Sequence, residues 1–138
     1  MIFSQYILDN VRPVLEYCVP LFNAGLTVKQ SNDIESIQKR ACKIIIGFNS
    51  YTTYENALEL LKIPTLKSRR EKLSLDFAIS LEHQEFCQSW LPGLKTNKFN
   101  LRNVNKYQDF KCRTKRFQNS ALPYLTRLLN CHHSNQNS

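Results

Sequence analysis

Apolar side chains recur along most of this chain at helical rather than strand spacing, and Pro and Gly mark the stops between the runs. Near the start, Ile2, Phe3, Tyr6 and Ile7, then Val11, Val14 and Leu15, follow one another at close to three-to-four-residue intervals. They predict a helix over Ile2–Tyr17. Pro13 removes a backbone donor and disfavours helical geometry at Arg12, so the helix should kink there or restart with Pro13 in its first turn. Pro20 and Gly25 are expected to end the element. Thr27 and Gln30 then form a T-x-x-Q capping box, which satisfies the orphan amides of a new helix. In that helix Ile34, Ile37, Ala41 and Ile44 are expected on the core face, with Glu35, Gln38, Lys39 and Lys43 elsewhere on the cylinder and Gly47 as a left-handed cap.

Thr52 and Glu55 repeat the capping logic and predict a short helix over Thr53–Leu61, stopped by Ile63-Pro64. Thr65 can cap a longer helix reaching about Ser89. Its apolar residues fall on two sides, Leu66, Leu73, Phe77 and Leu81 on one and Leu75, Ile79 and Phe86 widening it, which implies packing between neighbours. Residues Pro92–Lys106 hold Pro, Gly and four Asn with little periodicity, as an irregular connection would. From Tyr107 to Phe117 partial alternation allows a short extended segment, Ala121–Leu129 reads as a closing helix with Pro123 in its first turn, and the tail from Cys131 is expected to fray. The expected fold is all-α, an irregular helical bundle of four to six helices with a basic loop or short extended segment near the C-terminus. It divides into a helical region 1–91, a connection 92–106, a basic-aromatic segment with closing helix 107–130 and a disordered tail 131–138.

Charge changes the picture more than composition does. Residues 1–61 carry five Lys/Arg against six Asp/Glu, whereas residues 62–138 carry fourteen against five, so the net charge of +8 belongs to the second half. A field of one sign attracts polyanions. The cations are interleaved with Asn, Gln, Tyr and Phe and lack a wide apolar face, which favours nucleic acid over an anionic membrane surface. No apolar run approaches the roughly 20 residues that span a bilayer, and the first residues lack the positive stretch of a secretory signal. Five widely spaced Cys, an odd number, fit a reduced intracellular setting, nuclear or cytoplasmic.

Two clusters are candidate nucleic-acid contacts. Arg69, Arg70 and Lys72 stand near the start of the long helix, where helix dipole and side-chain charge both favour an anion. The competing view is a solvated face with Arg70 paired to an acid. Lys111, Arg113, Lys115 and Arg116 alternate with Phe110, Cys112 and Phe117, so that cations could neutralise phosphate while rings stack on bases. Equally, Phe110 and Phe117 could be core anchors that merely display a basic loop. Lys39, Arg40 and Lys43 could extend a positive surface or serve solubility alone. His83, Cys87, Cys131, His132 and His133 are potential zinc ligands, yet their spacing matches no finger or knuckle. No metal, cofactor or catalytic residue is assigned.

Beyond these local patterns, the run Val11–Gly47, with VRPVLEY leading into IESIQKRA, resembles the region after the catalytic palm in reverse transcriptases of LINE-type (non-long-terminal-repeat) retrotransposons. SYTTYENALELLKIPTLKSRREKL at Ser50–Leu73 and YQDFKCRTKRFQNSALPYLTRLLN at Tyr107–Asn130 fit the same family in the same order, so most of the chain is covered. Phe22 stands where the family often has Trp, and the acidic residue common near Ser68 is missing. The resemblance implies the thumb and post-polymerase part of an RNA-directed DNA polymerase, encoded as a truncated frame, that holds template RNA and primer DNA beside a palm packed on the N-terminal helix. It implies no catalysis by this chain, because two-metal nucleotidyl transfer needs clustered carboxylates and no Asp-Asp pair occurs. The alternative is a helical protein-interaction module, or a decayed remnant without selected activity.

Overall fold

A computed structural model describes residues 5–47, 52–96 and 105–136 of the chain. The architecture is all-α, an irregular helical bundle, and no strand occurs among the described residues. A π-helical stretch, Ile7–Val11, runs into α1 (Arg12–Glu16), with Pro13 in the first turn of α1. The helix thus restarts at Pro13, where a missing N–H would have had no intrahelical partner anyway. Ile2 and Phe3 lie outside the described residues. Cys18 takes a positive φ of 55°, and α2 (Val19–Phe22) follows, then a 3₁₀ turn at Asn23–Gly25. Pro20 therefore sits inside a short helix rather than ending one.

The capping box of α3 (Val28–Ile46) is complete: the Gln30 amide donates to Thr27 Oγ1 at 3.3 Å and the Thr27 amide to Gln30 Oε1 at 2.9 Å. Gly47 ends α3 with φ +104° and ψ +139°, a positive φ but not the left-handed helical well. Thr53, not Thr52, caps α4 (Tyr54–Leu61), and Lys62 closes it in the left-handed conformation. Thr65 Oγ1 accepts the Ser68 amide at the start of α5 (Leu66–His83). The expected run to Ser89 is interrupted: Gln84 is extended and a separate turn, α6 (Glu85–Gln88), follows. Helices α7 (Lys115–Gln118) and α8 (Ala121–Gln136) complete the chain. The tail is helical to Gln136, against the expectation of fraying from Cys131.

The chain forms two compact units, one of Met1–Val19 with Leu26–Glu71 and one of Pro20–Gly25 with Lys72–Ser138. The division falls within α5. In unit 1, Ile7, Cys42, Ala57, Leu58, Leu61 and Ile63 make the buried core, with Val11, Ala41, Ile45, Ile46 and Tyr54 packed around it. The inner face of α3 differs from the expected Ile stripe. Ile37 and Ile44 are 48% and 58% exposed, whereas Gln38 and Cys42 are buried. The reason is polar: Gln38 Oε1 accepts from Arg12 Nε at 3.3 Å, and its amide donates to the Tyr54 hydroxyl at 3.0 Å and to the Pro64 carbonyl at 3.2 Å. Arg12 Nη2 donates to the same carbonyl at 2.7 Å. Glu35 accepts the Tyr54 hydroxyl and the amides of Leu66 and Lys67, so it caps α5 from a distant point in the sequence.

Unit 2 packs Ala78, Leu81, Cys87, Tyr107, Leu125 and Leu129. The chain around Tyr107 is held without a sheet. Lys95 N donates to Lys106 O and Gln108 N to Gly93 O, both at 3.0 Å, and the Asn130 side chain brackets Tyr107 by accepting its N–H at 2.9 Å and donating to its carbonyl at 3.2 Å. Glu82, on α5, accepts the Tyr107 hydroxyl at 2.7 Å, Lys106 Nζ at 3.2 Å and His133 Nε2 at 2.8 Å. This last contact secures the end of α8. Burial by itself would raise the Glu82 carboxyl, but the hydrogen bonds from Tyr107, His133 and Lys106 together hold it below its ordinary value.

Candidate nucleic-acid interface

The two predicted cationic clusters have different fates. In unit 1, Arg70 is 1% exposed and its Nη2 donates to Ser31 Oγ at 2.6 Å. A guanidinium so enclosed is committed to the interior and offers nothing to a phosphate in solution, which removes Arg70 from the candidate contacts. Arg69 lies half-buried against Glu16, with Nε 3.3 and 3.2 Å from the two carboxylate oxygens. Glu16 also faces Arg12 at 3.9 Å, so one carboxylate serves two guanidiniums. Arg69 is therefore engaged in holding α1 to α5. Lys72 is exposed and belongs to unit 2. Lys39, Arg40 and Lys43 are exposed on α3.

The second cluster is open. Lys111, Arg113, Lys115 and Arg116 are all exposed, and none forms an ion pair among the described residues. The local sequence explains the display. From Phe110 to Arg113 burial alternates, with Phe110 and Cys112 partly covered and Lys111 and Arg113 in solvent. Thr114 then caps α7 by accepting the Phe117 amide at 3.2 Å, so Lys115 and Arg116 emerge from its first turn. Phe110 and Phe117 meet edge to face with centroids 6.1 Å apart. That geometry belongs partly to both earlier expectations: the rings anchor each other, yet Phe117 keeps 44% of its surface exposed.

Behind these rings a cleft opens between the segment 109–112 and α8. It is lined by Asp109, Phe110 and Cys112 from that segment, by Gln118 of α7, and by Pro123, Thr126 and Arg127 of α8. Arg127 Nη1 donates to the Gln118 carbonyl at 3.0 Å, which ties α7 to α8 across the cleft. Asp109 pairs with Lys95 at 3.6 Å. Sequence reasoning missed Asp109, Gln118 and Arg127 because no short motif joins them. The only available signal was the alternation Phe110-Lys111-Cys112-Arg113, which marks one covered and one open side.

Among the described residues no three His, Cys, Asp or Glu side chains converge as metal ligands would, and no helix is long and apolar enough to cross a membrane. His83, Cys87, Cys131, His132 and His133 do not come together as one set: Cys87 bonds Gln84, and His133 bonds Glu82. Comparison with protein-family models, curated proteins and solved structures finds no match to this chain.

Proposed function

We propose that this chain is the thumb and post-polymerase part of a LINE-type reverse transcriptase, a non-catalytic piece that holds RNA or an RNA–DNA hybrid by its phosphates. The observation that carries the proposal is the open set Lys111, Arg113, Lys115 and Arg116, four exposed cations that form no ion pair among the described residues, on a short stretch of unit 2 that also holds Phe110 and Phe117. Each cation that meets a phosphate releases a counterion, so affinity should fall steeply with salt. Lys72 is a further exposed candidate in the same unit, and Arg69 contributes only through the portion that Glu16 leaves accessible. The lack of an Asp-Asp pair fits a division of labour in which another polypeptide supplies the metals and the polymerase chemistry.

The segments that carry the resemblance also carry the internal architecture. Arg12 and Glu16 from VRPVLEY, Glu35 and Gln38 from IESIQKRA, and Tyr54 and Pro64 from Ser50–Leu73 bond to one another or to neighbouring backbone, and Arg70 of that stretch bonds Ser31.

The test is a titration of the purified chain against single-stranded RNA and an RNA–DNA hybrid at two salt concentrations. Binding that weakens with salt and is lost in R113E/K115E/R116E supports the proposal, and unchanged affinity in that variant removes the segment from it. A second reading, a helical interaction module, draws on Tyr6, Val14 and Tyr17, which are 61%, 77% and 77% exposed in unit 1. That reading expects concentration-dependent self-association or capture of a palm domain, and V14S/Y17S should abolish it.

A further inference from the structure

We propose that the cleft under Phe110 receives one unpaired base, so that the strand held by the basic segment is single-stranded at this point. This inference rests on the proposed grip at Lys111, Arg113, Lys115 and Arg116 and adds what that grip recognises. The cleft volume of about 330 Å³ lies at the small end of the roughly 300–1,000 Å³ of ligand sites, which suits a base rather than a longer piece of strand. One lining residue is a ring: Phe110 is partly covered and meets Phe117 edge to face at 6.1 Å, a contact that favours one ring orientation. A ring with a favoured orientation loses less entropy on stacking.

The cleft lining offers polar groups to a base edge. The Asp109 carboxylate lines the cleft with Lys95 at 3.6 Å, and it can accept the N–H that every nucleobase offers on its pairing edge. Gln118 and Arg127 add a side-chain amide and a guanidinium to the same lining. The cations, by contrast, stand on the open side of the same stretch, because Lys111 and Arg113 alternate with Phe110 and Cys112. A strand whose backbone runs along the open side can turn a base inward between Phe110 and α8. In a duplex that edge is already paired and the base is stacked, so a duplex meets only the cations. The preference should be for single strands and tolerant of sequence, since stacking is available to all bases.

The cleft holds its own reporter. Cys112 lines the cleft and is partly exposed, while Cys18 is exposed in unit 1 and serves as an internal control. The experiment alkylates the intact chain with iodoacetamide and maps each cysteine by mass spectrometry, without nucleic acid, with a 12-nucleotide oligouridylate, and with a 12-base-pair RNA–DNA hybrid. Oligouridylate should slow Cys112 modification at least about fivefold and leave Cys18 unchanged; the hybrid should leave both unchanged. In parallel, F110A should lose about five- to 150-fold in oligouridylate affinity, the span of one lost base stack, with hybrid affinity retained and F110Y restoring most of the loss.

Equal protection of Cys112 by the hybrid, or none by oligouridylate at saturation, overturns the base cleft while leaving the phosphate grip standing. Absence of salt-dependent binding to either probe overturns the grip itself, and the cleft proposal with it. Should F110A lose helical circular dichroism, the alkylation pattern of the unaltered chain still decides.

Discussion

Replacing Gln38 by Leu removes a polar side chain that is 0% exposed while keeping a side chain of similar size, so the cost is one of unpaired groups rather than of a cavity. Three bonds disappear. The Tyr54 hydroxyl still donates to Glu35, and the Pro64 carbonyl still accepts from Arg12 Nη2. Arg12 Nε alone loses its close acceptor, the Gln38 oxygen at 3.3 Å, and is left with Glu16 at 3.9 Å. A buried donor deprived of its partner costs about 1–3 kcal/mol, and each neutral bond whose partner keeps another contact adds about 0.5 kcal/mol. The sum is about 2–4 kcal/mol, a large part of the roughly 5–15 kcal/mol that stabilises a typical domain. With a urea m-value near 2 kcal/mol/M, the midpoint should fall by about 1–2 M in far-UV circular dichroism. I37Q is the matched control, one residue earlier on α3 and 48% exposed, and should cost only about 0.5–1 kcal/mol. A larger loss in I37Q than in Q38L would refute the polar inner face of α3.

Three further outcomes follow from single groups. Because the folded Glu82 carboxyl lies below its ordinary value, its contribution is fully present above about pH 4.5 and is lost as pH falls through the lower folded value. Acid unfolding monitored by Trp90 fluorescence should therefore steepen below that pH, and E82Q should flatten the slope. Lys62 holds φ +53° at the end of α4, a conformation that costs a side-chain-bearing residue about 1–2 kcal/mol. K62G should raise the thermal midpoint by a few degrees, the net of relieved strain and added unfolded-state entropy; a lowered midpoint would argue against that cap. Cys42 and Cys87 are buried, whereas Cys18 and Cys131 are exposed. Native alkylation should mark the exposed pair first and reach the buried pair only in denaturant, and early modification of Cys42 would contradict the unit 1 core.

The elements closest to their sequence expectation are those set by neighbours in the chain. Thr27 with Gln30, Pro13 at a restart and Thr65 before α5 act over three or four residues, and each does in the structure what its chemistry requires. The misses have tertiary causes. Phe86 continues the apolar rhythm of Ile79, yet α5 stops at His83 and leaves Phe86 81% exposed, because periodicity carries no record of a one-residue break at Gln84. The polar tail looks soluble and loose, but Asn130 and His133 find Tyr107 and Glu82 from far away in the sequence. Arg70 resembled a surface cation for the same reason: its partner Ser31 lies 39 residues earlier. Of the candidate site, the alternation of cations with Phe110 and Cys112 was readable in advance; Asp109, Gln118 and Arg127, which three separate parts of the chain bring to the cleft, were not.

The open cationic set is the centre of the account, and its most direct measurement is the salt dependence of oligouridylate binding. Four phosphate contacts on a single strand imply a slope of about −2.8 in log affinity against log salt, or roughly a 50-fold loss from 50 to 200 mM. R113E/K115E/R116E, which leaves only Lys111 of the four, should bind far more weakly and with a slope no steeper than about −0.7. An unaltered slope in that variant, or a flat profile in the parent chain, would contradict the grip.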